Sequence, residues 1–257
     1  MNEGTVHLQL QGPLATVSFD RPQERNAMTW AMYGQLGVIC DQLRQDKSVR
    51  AVIFRGAGGK AFVAGTDISQ FAGFDGDAGV AYEKRIDACI GMLEALPMPT
   101  IALIEGWAVG GGVAIATACD FRLATPESKL GVPIAKTLGN CLSMSNMARL
   151  VAAFSAQRVK RMLLLAEMMT ADEALSCGFL QAVVPAGELQ AQGLALAQRL
   201  AALAPITQAV AKEGLRRLEQ HHLPDGEDLI RRAYDSSDFR EGVQAFTSKR
   251  PPAWSGE

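Results

Sequence analysis

Apolar and polar positions change period several times along this chain. Val6–Leu10 and Ala15–Phe19 are short β-type runs on either side of Gly12-Pro13, the pattern of a hairpin. A polar loop from Asp20 to Asn26 follows. Met32, Leu36, Ile39 and Leu43 then recur at helical spacing, with Thr29 placed to cap them. Val49–Arg55 is a buried-strand run, and Gly56 to Lys60 breaks it. Ala61 to Ile68 passes through small residues into Gln70-Phe71. The next segment, Gly73–Gly79, is so small and polar that it reads as a mobile loop able to cover a site. Tyr82–Leu96 is an amphipathic helix stopped by Pro97-Met98-Pro99, and Thr100–Ile104 and Phe121–Ala124 are strand-like. Beyond Gly139 the pattern is helical almost throughout. Thr170-Ala171-Asp172-Glu173 has the form of a capping box, and Asp238-Phe239-Arg240-Glu241 that of an acid-capped helix start. Strand-and-turn units therefore come first and helices second, with no charge block, low-complexity segment or linker between them.

Composition narrows the functions open to such a chain. With 257 residues, 48% of them hydrophobic, it can bury a full core. A net charge of −2 supplies no broad basic surface, so nucleic acid is not an expected partner. The opening MNEGTVHLQL lacks a basic segment followed by an apolar one, and no apolar run reaches the roughly 18 residues that span a bilayer, so neither secretion nor a membrane is expected. Five widely spaced cysteines without a C-x-x-C pair argue against a disulfide framework and a zinc site, and fit a cytoplasmic protein. The three histidines are His7 and the adjacent His221 and His222, in a polar loop before Pro224. They offer little material for a His-based triad or a metal cluster.

The chemistry points instead to glycine turns. Gly106-Trp107-Ala108-Val109-Gly110-Gly111-Gly112 runs from a strand into the apolar helix ending near Cys119-Asp120, and three consecutive glycines disfavour any regular interior. A second small-residue turn surrounds Ala64-Gly65-Thr66. Free N–H groups at the start of a helix attract negative charge, so the two turns can aim donors at one oxygen. Both can equally be tight packing corners. The Gly-Lys-Ser/Thr ending of a phosphate loop and the G-x-G-x-x-G of dinucleotide folds are absent. Asp67 reads as the cap of a helix starting near Ile68. Asp75, Asp77 and Glu83 flank the small-residue loop, either within reach of a bound group or simply solvated. Trp30, Trp107 and Met144 either shape a pocket or fill core.

Several motifs in order resemble the crotonase superfamily, the enoyl-CoA hydratase/isomerase fold, along nearly the whole chain. Arg21-Pro22 to Asn26-Ala27-Met28 is similar to its R-P-x-x-x-N-A-L/M loop. Phe62-Val63-Ala64-Gly65-Thr66-Asp67-Ile68 matches F-x-A-G-A-D-I, and Gly106 to Ala124 matches G-x-A-x-G-G-G through C-D-x-x-x-A. Thr170 to Leu180 and Ser237 to Pro251 resemble the later A-x-E-A-x-x-x-G-L-V and terminal D-x-x-E-G-x-x-A-F-x-x-K-R-x-P segments.

The resemblance implies an α/β fold: a crotonase-type spiral of β-β-α units over residues 1–195, then a helical trimerisation region over 196–257, assembled as a homotrimer or dimer of trimers. It implies an acyl-CoA substrate, an oxyanion hole made by the Thr66 and Gly111 N–H groups, and an enolate-type intermediate. Coenzyme A enters as part of the substrate, with no other cofactor and no metal. Glu24, Arg25, Ala64, Asp67, Ile68, Gly110, Phe246 and Lys249 fall at substrate- or CoA-binding positions. The adenine is expected near Ala64 and Ile68, and the phosphates near Lys249.

The chain departs from that pattern where the family's hydratases carry two glutamates. Those positions read Ala114 and Ile134. The two-glutamate hydratase mechanism is therefore not expected, nor isomerisation by the second glutamate alone. Asn140, Cys141 and Thr137 lie where members with other chemistry place a polar side chain. Each also has a plain alternative: a left-handed turn after Gly139, a small buried residue, or a turn cap. Two functions follow. One is an acyl-CoA lyase or isomerase working through the oxyanion hole. The other is a non-catalytic acyl-CoA binding or assembly protein on the same scaffold.

Overall fold

The computed structural model describes residues 3–223 and 225–256, so the outer ends of the two expected regions and Pro224 lie outside it. The hairpin forms as its alternation requires. β1 (Thr5–Gln11) and β2 (Leu14–Asp20) pair antiparallel, with Ala15, Val17 and Phe19 of β2 facing the core. A 3-10 turn at Pro22–Glu24 occupies the polar loop. The Thr29 hydroxyl then accepts from the Met32 N–H at 3.2 Å and starts α1 (Trp30–Gln45). Its apolar stripe of Met32, Leu36, Ile39 and Leu43 is buried, which stabilises the helix far more than propensity does.

Three β-β-α turns follow. β3 (Ala51–Gly56), β4 (Ala61–Ala64) and α2 (Gly76–Glu94) make the first, and β5 (Thr100–Ile104), β6 (Trp107–Val109) and α3 (Gly111–Ala118) the second. β7 (Phe121–Ala124), β8 (Lys129–Gly131) and the short α4 (Ile134–Thr137) make the third. In each turn the first strand joins a six-stranded sheet ordered β1-β2-β3-β5-β7-β10, and the second joins a four-stranded sheet ordered β4-β6-β8-β9. Pairing between turns is parallel. Strands covered on both faces read as continuous apolar runs, and all five residues of β5 are buried. This is the spiral that the sequence motifs implied.

The segment expected to be a mobile loop, Gly73–Gly79, is not one. α2 begins within it at Gly76, capped by Asp75 accepting from the Ala78 N–H at 2.8 Å. Gly76 and Gly79 are buried, because Cβ atoms there would collide with Asp235 and the Tyr234 ring. Their smallness admits another helix rather than giving mobility.

Helices α5 (Met144–Phe154) and α6 (Ala156–Leu164), the bridging β9 (Met169–Thr170), α7 (Ala171–Ser176), β10 (Ala182–Val183) and α8 (Ala186–Ala201) complete the body. Thr170 and Glu173 form the expected capping box. The 195/196 division falls inside α8, whose Leu189, Leu196 and Leu200 pack on Ile53, Ile101, Leu103 and Leu123 of the larger sheet.

Of the final helices, α9 (Pro205–Glu219) has no buried residue. By contrast, α10 (Glu227–Tyr234) and α11 (Ser237–Thr247) dock back on the spiral. Ile230, Tyr234 and Phe239 pack with Ile68, Phe71, Val80 and Leu138, so Ile230 is core. α11 is capped by the Ser236 hydroxyl, not by Asp238, whose carboxylate instead accepts from the Ser255 and Gly256 N–H groups. Among the described residues no single helix is long and apolar enough to cross a membrane, and no three His, Cys, Asp or Glu side chains gather as metal ligands would.

Candidate active site

The two glycine turns meet. β4 and β6 are neighbours in the smaller sheet, so the turns that leave them lie side by side. A Cβ on Gly110 would sit 3.7 Å from the Gly65 Cα, and one on Gly111 would sit 2.6 Å from the Tyr33 hydroxyl. The three glycines have separate reasons. Gly110 has φ +52°, ψ −114°, Gly111 must clear Tyr33, and Gly112 must clear the Val63 carbonyl. Thr66 is fixed from its side chain, where Oγ1 meets the Tyr33 hydroxyl at 2.9 Å and the Tyr82 hydroxyl at 3.1 Å. Around the two turns, Met28 N–H donates to Gly65, Asp67 N–H to Met28, and Gly110 N–H to Gly131. Among the described residues neither the Thr66 nor the Gly111 N–H has an acceptor. Unpaired donors at a helix start are what an anionic oxygen needs.

Both turns line a cavity of about 690 Å³. Ala114, one turn into α3, and Ile134, at the start of α4, line it too, so the two positions where the resemblance would put glutamates border the cavity as apolar surface. Of the residues expected to hold substrate, Glu24, Arg25, Ala64, Asp67, Ile68, Gly110 and Phe246 are also in its wall. The Asp67 carboxylate is already engaged. It pairs with buried Arg21 at 2.8 Å and caps Ser69, and these contacts outweigh burial and hold it below the ordinary range. Lys249 is exposed beyond α11 and is not among the lining residues, so its expected place beside the ligand is not met within this chain.

The candidates after Gly139 separate. Asn140 lines the cavity. Its amide donates to the Tyr234 hydroxyl at 3.3 Å, and its Oδ1 is buried with no partner among the described residues. Thr137 also lines it, but its hydroxyl is committed to the Pro133 carbonyl at 3.0 Å. Cys141 does not reach the cavity. Its Sγ faces the Leu229 carbonyl at 3.7 Å, and burial, with the charge of Glu83, pushes the thiol up to about 12. Trp107 is in the wall, whereas Trp30 packs on Tyr82 and Met144 lies against Gly226.

One residue that sequence reasoning left between reach of a bound group and solvent is central here. Glu83 is 2% exposed and lines the cavity. One carboxyl oxygen accepts from the Tyr234 hydroxyl at 3.0 Å and the other from the Ser143 N–H at 3.1 Å. Burial dominates these bonds and pushes its carboxyl up to about 8. The signal that could have found it is the spacing of Gly76, Gly79 and Glu83, which puts the acid on the helix face that the glycines open to another element.

Comparison with known proteins agrees with this geometry. The family model described as enoyl-CoA hydratase/isomerase matches residues 9–257. The carnitinyl-CoA dehydratase of Proteus mirabilis is 32% identical over 262 residues, covering 98% of each chain. The short-chain-enoyl-CoA hydratase of Clostridium acetobutylicum is 29% identical over 254 residues, covering 97% of each. Among solved structures, methylmalonyl-CoA decarboxylase in complex with 2-nitronate-propionyl-CoA superposes with a TM-score of 0.89 at 28% identity, covering 98% of both chains.

Proposed function

The chain belongs to the enoyl-CoA hydratase/isomerase family, and on that premise we propose that it turns over an acyl-CoA thioester through an enolate held by the Thr66 and Gly111 amides, without a pair of loop carboxylates. One observation carries the reading. Thr66 and Gly111 line the cavity and their N–H groups have no acceptor among the described residues, while Ala114 and Ile134 add only apolar side chains to its wall. A donor aimed at a developing oxyanion is worth about 2.7–4 kcal/mol of transition-state stabilisation. Hydration asks for more, since water must be positioned and a proton delivered, and each positioned acid–base group contributes roughly 10²–10⁴-fold. Neither alanine nor isoleucine supplies one.

Reactions that need the enolate and a single proton suit the cavity better. Loss of CO₂ from a 2-carboxyacyl thioester is the foremost of these, because an apolar wall removes water from the substrate carboxylate and the amides take up the charge it leaves behind. The similarity to methylmalonyl-CoA decarboxylase supports it. Coenzyme A is the substrate's own handle in this scheme, with Ala64 and Ile68 at the cavity wall where the adenine is expected. The test is turnover of methylmalonyl-CoA, a 3-enoyl-CoA and crotonyl-CoA side by side, with CO₂ release expected and crotonyl-CoA hydration nearly absent. Tight calorimetric binding of all three with no product would favour the alternative of a non-catalytic acyl-CoA binding protein.

Assembly as a trimer or dimer of trimers belongs to the same proposal. α9 leaves Ile206, Val210, Leu215 and Leu218 between 62% and 78% exposed, an apolar face that a neighbouring copy would cover.

A further inference from the structure

We propose that Glu83 carries the proton to and from the carbon next to the thioester carbonyl, with Tyr234 as its positioning residue. The inference rests on the enolate reading above and adds the group that reading lacks. Three carboxylates line the cavity among the described residues. Glu24 is exposed on the 3-10 turn after β2, and Asp67 is locked to Arg21 and Ser69. Glu83 alone is buried and borders the interior. Its neighbour Tyr82 bonds the Thr66 hydroxyl, which ties this turn of α2 to the turn that bears one of the two amides. No histidine lines the cavity, and Cys141 faces away from it.

The hydrogen bonds orient the acid. Asn140 Nδ2 donates to the Tyr234 hydroxyl, so that hydroxyl donates onward to Glu83, while Ser143 N–H holds the other oxygen. Charged and titratable groups approach from every packed element. Asp87 lies on α2, Tyr82 beside Glu83, Tyr33 on α1, Tyr234 on α10 and Cys141 before α5. Asp87 is itself paired with Arg149 of α5 at 3.5 Å. None is a cation in contact with Glu83, so burial governs, and the carboxyl is largely protonated at neutral pH.

A protonated acid suits a reaction that ends by quenching an enolate. When CO₂ leaves a 2-carboxyacyl thioester, the electrons of the broken C–C bond move onto the thioester oxygen. The enolate pair then forms a C–H bond with the Glu83 proton, and the resulting carboxylate is reprotonated from water. Run on a saturated acyl-CoA, the same step goes backwards. The Glu83 carboxylate removes the α-hydrogen, the pair moves to the amide-bound oxygen, and return of a solvent deuteron labels the carbon.

That exchange is the test, with butyryl-CoA in D₂O as the probe and deuterium read by mass spectrometry. The wild-type protein should exchange the α-hydrogens at a rate that rises with pH and levels above about 8, since only the carboxylate is a base. Glu83→Gln should lose at least about 10²-fold of that rate while binding butyryl-CoA within about threefold of wild type. Tyr234→Phe should still exchange but with its pH midpoint moved up, because a donor to the carboxylate is gone; loss through misfolding would not move a midpoint. Exchange by folded Glu83→Gln at the wild-type rate overturns the role of Glu83 and leaves the enolate reading intact. Bound butyryl-CoA with no wild-type exchange overturns both. A flat wild-type pH profile overturns the proposal without any variant.

Discussion

Tyr234 of α10 donates a 3.0 Å hydrogen bond to Glu83 of α2, joining residues 151 positions apart at the wall of the cavity. The bond is possible because Gly79, one helical turn before Glu83, leaves room for the Tyr234 ring. Lys84 with Glu227 and Asp77 with Arg231 then pin the two helices along their exposed edge. Such surface pairs contribute little individually, so the buried ring and its hydroxyl decide where α10 sits. The C-terminal segment thereby packs behind the site wall, to which Phe246 of α11 contributes directly.

The first expected outcome concerns stability against pH. Burial moves the Glu83 carboxyl from 4.5 to about 8, so between those values the folded state holds a proton that the unfolded chain has released. Stability due to this group therefore falls as pH rises through that window and changes no further above it, with a slope of up to about 1.4 kcal/mol per pH unit. Urea unfolding across the window should show this slope in wild type and its reduction in Glu83→Gln. Parallel profiles for the two proteins would contradict the buried protonated state.

A second outcome concerns the loop that buttresses the Thr66 turn. Asn26 is fully buried. Its Oδ1 accepts from the Arg21 N–H at 2.9 Å, and its Nδ2 donates to the carbonyls of Ala57 at 2.9 Å and Ala61 at 2.8 Å. Asn26→Ala strands all three backbone groups without water, and a cost of roughly 2–4 kcal/mol follows. The midpoint of urea unfolding should drop accordingly with its slope unchanged. A shift no larger than that of a typical surface substitution would show that these bonds are replaced.

Much of this was legible before any coordinates. The capping hydroxyls of Thr29 and Thr170 bond neighbours within three residues, so local pattern suffices to find them. The glycine turns announce themselves because three glycines in a row need a reason. Motif order singled out Ala114 and Ile134, and both line the cavity. What failed depends on distant partners. Gly76 and Gly79 look like a loop until Tyr234 and Asp235 are known to fill the space above them, and for the same reason the sequence leaves Glu83 undecided between a bound group and solvent. The choice between the two readings of Cys141 depends in the same way on α10, whose Leu229 carbonyl its Sγ faces.

A third outcome concerns α9. Ile206, Val210 and Leu218 project from a helix with no fully buried residue, which Lys212 anchors through the Met98 carbonyl at 2.9 Å and Asp120 at 2.6 Å. Light scattering should give three or six chains per particle at micromolar concentration. Ile206→Glu with Leu218→Glu should lower that number by placing charges in the covered face. A monomeric wild type would mean that the apolar stripe serves some other purpose.

The last outcome concerns the apolar positions beside the amides. If Thr66 and Gly111 already polarise the thioester, crotonyl-CoA binds, but nothing at positions 114 and 134 holds a water or hands it a proton. Hydration by the native protein should then fall at least about 10³-fold below a rate of about 10² s⁻¹, since two missing acid–base groups are each worth roughly 10²–10⁴-fold. Ala114→Glu alone, or Ile134→Glu alone, should gain less than the two together, because a single added carboxyl leaves either the positioning of water or the delivery of its proton to Glu83. The double substitution should raise the rate. It also adds two acids to a cavity that contains Glu83, and three carboxyls in a desolvated space raise one another's pKa, so the gain should come with lost stability and a pH optimum displaced upward. Adding Glu83→Gln to the double variant removes one of those acids and should bring the optimum back down. Crotonyl-CoA turnover by the native protein at about 10² s⁻¹ or faster would show that other groups supply acid and base, and the apolar character of Ala114 and Ile134 would then lose its mechanistic meaning.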